Sequence, residues 1–480
     1  MGISWIDASI FILYLLAMMG MGFYFMKRNA SQEDYFVGGR SMSAGHVGLS
    51  VVATDVGGGF SIGLGGLGFT MGLSGSWMLF TGLLGAWLSA VFLIPRVYQT
   101  AKQNAFISFP QVLGHHYNSR VALLAGLVSL IGYVGFTSSQ ILAGAKLASA
   151  TFSGLDLQTA AIVMGAVAIV YTAFGGIKAV IYTDTVQWLI LIVGLLGVGL
   201  PLCYHAVGGW EAIEQSLDPT FFSFSQVKTQ EWVNWAATIV PIWFVGMTLY
   251  QRIYACKSEQ TAKRAWFIAG LFEWPIMAIM GVALGLIARV AFEQNAFAAV
   301  GFPAGSAIDA ELGLPLLLAT LLPVGMLGLM MSAYFSAIMS TADSCLMAAS
   351  GTVTADIWPK LGLFRAHQSL RGSQWLTLLI GVLAIALATQ MESVLNLMLY
   401  SYSFMVSGLL IPVIGFLVYP KPSSLAAFTS VWVGGGFTLS MILAQVEMPF
   451  GLDPNVFGIA LAAIAFFIIQ HTKAPSSNHG

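Results

Sequence analysis

Residues 53–60 read A-T-D-V-G-G-G-F. They place Asp55 and three consecutive glycines inside a stretch, 46–73, that is otherwise almost wholly apolar. A carboxylate at the centre of a membrane helix costs roughly 2.5–3.5 kcal/mol or more, so a chain keeps one there for a reason. Glycines weaken the helix at the same point, and bare backbone at membrane depth is tolerated only where it faces protein or a wet cavity. The stretch therefore reads as an apolar span broken on purpose. A second broken span follows in the other half of the chain, W-V-N-W-A-A-T-I-V-P-I-W-F-V-G-M-T-L-Y (232–250), with Pro241 and Gly246 near its middle. Paired interruptions in corresponding halves are the pattern of transporter binding sites.

Composition supports this reading. The 480 residues are 58% hydrophobic and 8% charged with net charge −1, far from the roughly 25% charged residues of soluble domains. The chain is an integral membrane protein embedded in a lipid bilayer, and nothing in its charge suggests nucleic acid. Cys203, Cys256 and Cys345 fall in separate segments without metal-ligand spacing. A helix needs about 20 apolar residues to cross the hydrocarbon. On that measure thirteen spans are expected, near 4–26, 46–72, 77–95, 120–148, 157–174, 180–203, 232–250, 265–291, 322–350, 374–390, 393–418, 424–446 and 454–470. The fold class is all-α: a leading helix (4–26), two inverted five-helix repeats (44–203 and 231–418), each opening on a broken helix, and two trailing helices (424–470).

Charge sets the expected orientation. Lys27 and Arg28 follow the first span, which places the N-terminus outside. Alternate loops then hold 16 of the 19 basic residues, Arg252 among them, leaving Lys146, Lys228 and Arg289 outside. The positive-inside rule selects this arrangement, with the C-terminus in the cytoplasm. Short tails fit a bacterial cytoplasmic membrane. A G-G-W-E-A-I-E stretch (208–214) in the longest outer connection reads as a surface helix.

Four carboxylates fall inside or at the edge of spans: Asp55, Asp184, Glu273 and Asp343. Asp184 lies near a span's cytoplasmic start, where solvation is cheaper. Glu273, in L-F-E-W-P, reads more readily as a buried hydrogen-bonding residue beside a proline kink than as a site. The densest polar cluster is S-A-I-M-S-T-A-D-S-C (336–345), where Ser336, Ser340, Asp343 and Ser344 share a helix face with Thr341 beside them. Serine and alanine also line membrane helix interfaces. An aspartate among these hydroxyls favours a site for a hard cation.

Together D-Y-F-V-G-G-R-S (34–41), the broken T-D-V-G-G-G span, A-F-G-G-I-K-A-V-I-Y-T-D-T-V-Q (173–187), Y-Q-R (250–252) and A-I-M-S-T-A-D-S (337–344) resemble the sodium:solute symporter family. That family includes proline, glucose, sialic acid and choline transporters. The resemblance implies a non-enzymatic secondary symporter that couples sodium entry to uptake of a small organic solute by alternating access. It implies a main sodium site from the carbonyls of Ala53, Val56 and Ala337 and the hydroxyls of Ser340 and Thr341. A second site, found in some members, falls on Asp184, Ser340, Asp343 and Ser344, so one or two Na+ ions are expected. Solute positions map onto Asp55, Gly57, Phe60, Thr137, Trp243 and Met247, with Gln140 and Tyr250 nearby and Tyr400 and Tyr402 as covers.

Gly246 and Met247 replace the Asn-Gln pair of sugar-type members. Asp55 replaces the aromatic residue of the choline branch. An amino acid, zwitterion or amine is therefore the expected solute, with a sugar or carboxylate as the alternative. Asp55 is left to serve ion, solute or both. A sensor on the same fold is the less favoured class, because no signalling domain follows the last span. His115-His116 lack a carboxylate partner for hydrolytic chemistry.

Overall fold

A computed structural model describes residues 3–26, 32–37, 40–152, 154–361 and 370–472. Lys27, Arg28, Arg365, Lys473 and the side chains of Val56 and Phe60 lie outside what is described. Among the described residues the chain is helical, with one isolated bridge, Met42 to Cys256. The first half holds α1 (Trp5–Met26), α2 (Gln32–Val37), α3 (Ala44–Met71), α4 (Trp77–Phe92), α5 (Ile94–Gln103), α6 (Phe109–His116), α7 (Ser119–Thr151), α8 (Leu157–Leu191) and α9 (Leu200–Ala206). A surface helix, α10 (Gly209–Ser216), leads to α11 (Thr229–Val245) and α12 (Met247–Ala255). Then come α13 (Glu259–Leu271), α14 (Ala278–Glu293), α15 (Ala310–Leu321), α16 (Met326–Thr352), α17 (Leu370–Ala388), α18 (Val394–Val418), α19 (Ser424–Leu443) and α20 (Pro454–Thr472).

Among the described residues, eight helical segments are long and apolar enough to cross a membrane, or nine if the bent pair α11–α12 is one span. Three shorter apolar helices lie at Trp5–Met21, Leu157–Val170 and Ala310–Leu321. The expected thirteen exceeds this tally for a physical reason. The site-bearing segments carry glycine, hydroxyl and carboxyl groups, so α16 falls short on apolarity although Met330 to Thr352 are buried without interruption. The sequence reading missed α15, whose 12 residues with an internal Pro315 are too short to register as a span.

Helices α3 and α16 form the centre, packing on each other and on α7 and α8. Small residues permit that close approach. Gly58 sits directly on Ile338 and Ala143. Outward faces are apolar: Leu379 and Val382 on α17 and Ile464 and Ile468 on α20 are all more than half exposed, as lipid-facing positions require.

Four helices are interrupted where they reach the interior. Gly57 (φ 23°, ψ −171°) breaks α3 and Gly176 (φ 68°, ψ 176°) breaks α8. Gly246 separates α11 from α12 with a 41° bend. Trp274 (φ −135°, ψ 125°) interrupts the passage from α13 to α14, just before Pro275, which has no N–H to continue the ladder.

Acidic caps tie helix ends together. Asp7 Oδ1 accepts from Gly325 N and Gly328 N, both at 2.8 Å, at the start of α16. Glu311 accepts from Val394 N and Leu395 N, both at 2.9 Å, at the start of α18, and pairs with buried Lys146 at 2.7 Å. Anions at helix N-termini satisfy orphan N–H groups and the helix dipole.

Candidate ion and solute site

An unbroken helix would bond Gly57 N–H to Ala53 C=O and Gly58 N–H to Thr54 C=O. The break at Gly57 interrupts this ladder, and side chains of other helices bond Ala53 O, Thr54 O and Gly58 N. Ser340 Oγ donates to Ala53 O at 2.9 Å and lies 2.9 Å from Ala337 O. Thr341 Oγ1 lies 3.2 Å from Ala53 O, 2.9 Å from Thr54 O and 3.4 Å from Ala337 O. On the other side, Gly58 N donates to Gln140 Oε1 at 2.7 Å. Ala53 O, Thr54 O and Gly58 N thus each have a side-chain partner, as buried backbone requires.

The result is a compact cage of neutral oxygens from Ala53, Ala337, Ser340 and Thr341. A small cavity beside it is lined by Ala53, Gly57, Ser336, Ala337 and Ser340. Carbonyl and hydroxyl oxygens without imidazole or thiolate suit a hard cation. Gly57 is essential to the closeness: a Cβ there would overlap the Thr341 hydroxyl, and its positive φ disfavours any side chain.

The four residues of the expected second ion site do not converge in the same way. Ser340 turns to Ala53, while Ser344 and Asp184 gather around the guanidinium of Arg252, which is wholly buried. Arg252 Nη2 reaches Asp184 Oδ2 at 3.1 Å, Thr54 Oγ1 at 2.5 Å and Ser344 Oγ at 2.6 Å. Its Nε reaches Ser50 Oγ at 2.9 Å and its Nη1 reaches Thr248 O at 3.1 Å. Asp343 Oδ1 accepts from Thr172 Oγ1 at 2.5 Å. Asp184 Oδ1 and Asp343 Oδ2 have no hydrogen-bond partner among the described residues.

Two expectations change here. Arg252, counted as a loop cation, lies inside the bundle because the bend at Gly246 carries α12 against α3 and α16. Asp184, expected near solvent, is fully buried.

The expected solute positions separate into two groups. Asp55 is nearly buried and faces Glu273 and the Tyr402 hydroxyl. Glu273 is fully buried, and its Oε2 rests on Gly82 of α4. One helical turn along, at Gly85, lies the ring of Trp243, packed edge-on to Trp266 with centroids 6.4 Å apart. Asp55 thus meets Glu273 and Tyr402, and Trp243 packs on α4 one turn along from Glu273. As expected of a buried hydrogen-bonding residue, Glu273 is enclosed and its carboxyl group bonds that of Asp55, but neither of its oxygens receives an N–H or hydroxyl donor from any other described residue.

The second group faces elsewhere. Met247 Sδ accepts from Phe109 N at 3.0 Å, and Tyr250 packs on Phe109 while its hydroxyl bonds Phe244 O at 2.8 Å. Thr137 bonds within its own helix to Tyr133 O at 2.8 Å. Gln140 serves the break rather than open space. The two tyrosines divide: Tyr402 is buried against Phe136, whereas Tyr400 is 43% exposed on the outer face.

His115 and His116 belong to neither group. His116 stacks on Phe416 at 4.5 Å, and burial, His115 and Arg96 hold its pKa below the usual histidine value. Both end α6, His115 exposed and His116 half-buried.

Sequence comparison agrees with the geometry. The model of the sodium:solute symporter family matches residues 35–434. The high-affinity proline transporter of Bacillus subtilis is 27% identical, over 96% of this chain and 97% of its own. The sodium/proline symporter of Escherichia coli is 28% identical over 82% of this chain and 79% of its own. The sheep (Ovis aries) sodium/glucose cotransporter 1 is 26% identical over 82% of this chain and 64% of its own. A Na+-coupled sialic acid symporter, solved substrate-bound and outward-open, superposes with a TM-score of 0.77 at 22% identity, over 98% of this chain and 99% of that one. That likeness concerns the fold.

Proposed function

Because the chain belongs to the sodium:solute symporter family, we propose that it carries a small amine-bearing solute, an amino acid or amine, into the cell by alternating access, driven by sodium entry. The observation that carries the ion part is the oxygen cage joining the break of α3 to α16. Sodium is cargo here, and it draws together oxygens that belong to two separate helices. An ion held by both favours the arrangement in which they are close, and so shifts the population towards it. Release on the sodium-poor side is helped by the membrane potential, worth about 2.3 kcal/mol per charge per 100 mV.

Thr54 links this cage to the rest of the machinery. Its carbonyl accepts from Thr341 and its hydroxyl from Arg252. Arg252 in turn joins α12 to α3, α8 and α16. Movement of the ion-site hydroxyls therefore reaches the second broken helix through a single residue. A second sodium ion is supported by the unpartnered oxygens of Asp184 and Asp343, and it enters when the guanidinium withdraws. Inverted repeats at 44–203 and 231–418 provide the moving and fixed halves. The N-terminus faces outward and the C-terminus the cytoplasm, in a bacterial inner membrane, in keeping with the loop charges.

The test is a thermal-shift screen of purified protein against amino acids, amines, carboxylates and sugars, in sodium and in potassium, followed by uptake into proteoliposomes. Stabilisation by an amine-bearing solute in sodium alone is expected. Equal shifts in potassium would sink sodium coupling, and a response confined to sugars or carboxylates would sink the solute class.

A further inference from the structure

We propose that Glu273 and Asp55 together form the cation-binding end of the solute site, selecting an organic cation that carries several N–H groups and no carboxylate. The proposal rests on the symport reading above and narrows its solute. Three oxygens carry it: Asp55 Oδ2, Glu273 Oε1 and Glu273 Oε2 are all buried and receive no N–H or hydroxyl donor from any other described residue, so these oxygens have only one another. Leaving a buried carboxylate without donor or countercharge costs several kcal/mol, and two facing each other repel as well. A bound cation removes both penalties.

The count of acceptors identifies the cation. A primary ammonium offers three N–H donors and a guanidinium five, enough for the three bare oxygens. A quaternary ammonium offers none. The walls favour an organic ion over a hydrated inorganic one, since Trp243 and Tyr402 present aromatic surface, which attracts cations. Trp243 is wholly buried at Gly85, one turn from the Gly82 that Glu273 covers. Gly82 has no side chain to separate Glu273 from α4, so the carboxylate packs directly on the helix.

A solute carboxylate has no comparable partner. The buried basic side chains among the described residues are Lys146 and Arg252. Lys146 is paired with Asp309 and Glu311, and Arg252 with Asp184. The Gly58 N–H that the break exposes is held by Gln140. An amino acid would set its carboxylate beside two others without compensation.

The experiment uses the full chain, purified, with ethylammonium, guanidinium, tetramethylammonium and L-proline as probes, each in sodium and in potassium. Ethylammonium and guanidinium should stabilise the protein in sodium, with tetramethylammonium and L-proline at least about tenfold weaker, the size of one charge-assisted hydrogen bond. Glu273→Gln should weaken both N–H cations by a similar factor, raise the melting temperature of the solute-free protein, and leave the sodium midpoint unchanged. Glu273→Asp, which keeps the charge, should retain part of the affinity.

L-proline binding as tightly as ethylammonium and unaffected by Glu273→Gln would overturn the proposal, as would the absence of any shift from the N–H cations. So would a changed sodium midpoint in Glu273→Gln, which would make the pair an ion site. Equal cation shifts in sodium and potassium would instead remove the symport reading while the cation subsite stood.

Discussion

The interior holds two carboxylate pairs that differ in what neutralises them. Asp184 and Asp343 lie beside Arg252, whose guanidinium also binds Ser50, Thr54 and Ser344. Asp55 and Glu273 lie beside aromatic rings and a glycine, with no basic side chain among their described contacts. In the first pair Asp184 has its countercharge in Arg252 and Asp343 a hydroxyl donor in Thr172, and one oxygen of each is left bare, which suits a gating task and room for an ion. The second has no countercharge among the described residues, and three of its oxygens have no donor there beyond the two carboxyl groups themselves, which is what the proposed cation would supply. Buried carboxylates thus serve two purposes, and the countercharge decides which.

The sharpest way to break this contrast is to take away the internal cation. Arg252→Met should leave Asp184 buried without its partner and cost about 3–5 kcal/mol, the range seen when one half of a buried ion pair is removed. Thermal unfolding in detergent and sodium-driven uptake should both show the loss. The double variant with Asp184→Asn should recover most of the stability, because no uncompensated charge remains, while transport stays lost. Full recovery of transport would show that the network has no part in alternation.

The ion cage gives the next effects in size. Thr341→Val keeps the shape of the side chain but removes the hydroxyl shared between Ala53 O and Thr54 O. Sodium affinity should fall by about tenfold or more, because one hydroxyl of the cage is gone, a loss of roughly 1–3 kcal/mol. A sodium titration followed by melting temperature reads it directly. For the second ion, Asp343→Asn should reduce the steepness of the sodium dependence of uptake and leave the affinity at the cage nearly unchanged. An unaltered sodium curve would restrict coupling to one ion.

Much of this was legible in the chain itself. Glycines beside a carboxylate in an apolar run announced the break of α3, and Pro241 with Gly246 announced that between α11 and α12. The hydroxyl pair Ser340–Thr341 came from the resemblance and lies on the α3 break. Depth was harder to read. Arg252 follows an apolar run, as a loop cation does, and only the 41° bend at Gly246 shows that it turns inward. Glu273 was obscured by Pro275, which offered a sufficient local reason for a polar residue. Its meaning depends on Asp55 and Gly82, contacts between distant segments that no local pattern encodes. Met247 and Tyr250 sit at plausible positions, yet their side chains turn to Phe109 of α6.

The mildest perturbation of the bare pair is Gly82→Ala. Gly82 is an interior residue of α4, so alanine there favours the helix by about 0.8–1 kcal/mol. The added methyl meets the Glu273 carboxylate, the far end of a flexible side chain, and pushes it from its place. These effects oppose each other in the solute-free protein, so its melting temperature should move little. In the bound state they do not cancel, because the cation needs Glu273 and Asp55 at the spacing the glycine permits. Solute affinity should fall about fivefold, near 1 kcal/mol, while the sodium midpoint stays fixed, since the cage is built from α3 and α16. A parallel loss of sodium affinity would mean that the two regions are one coupled site, and the contrast between them would have to be redrawn around Asp55.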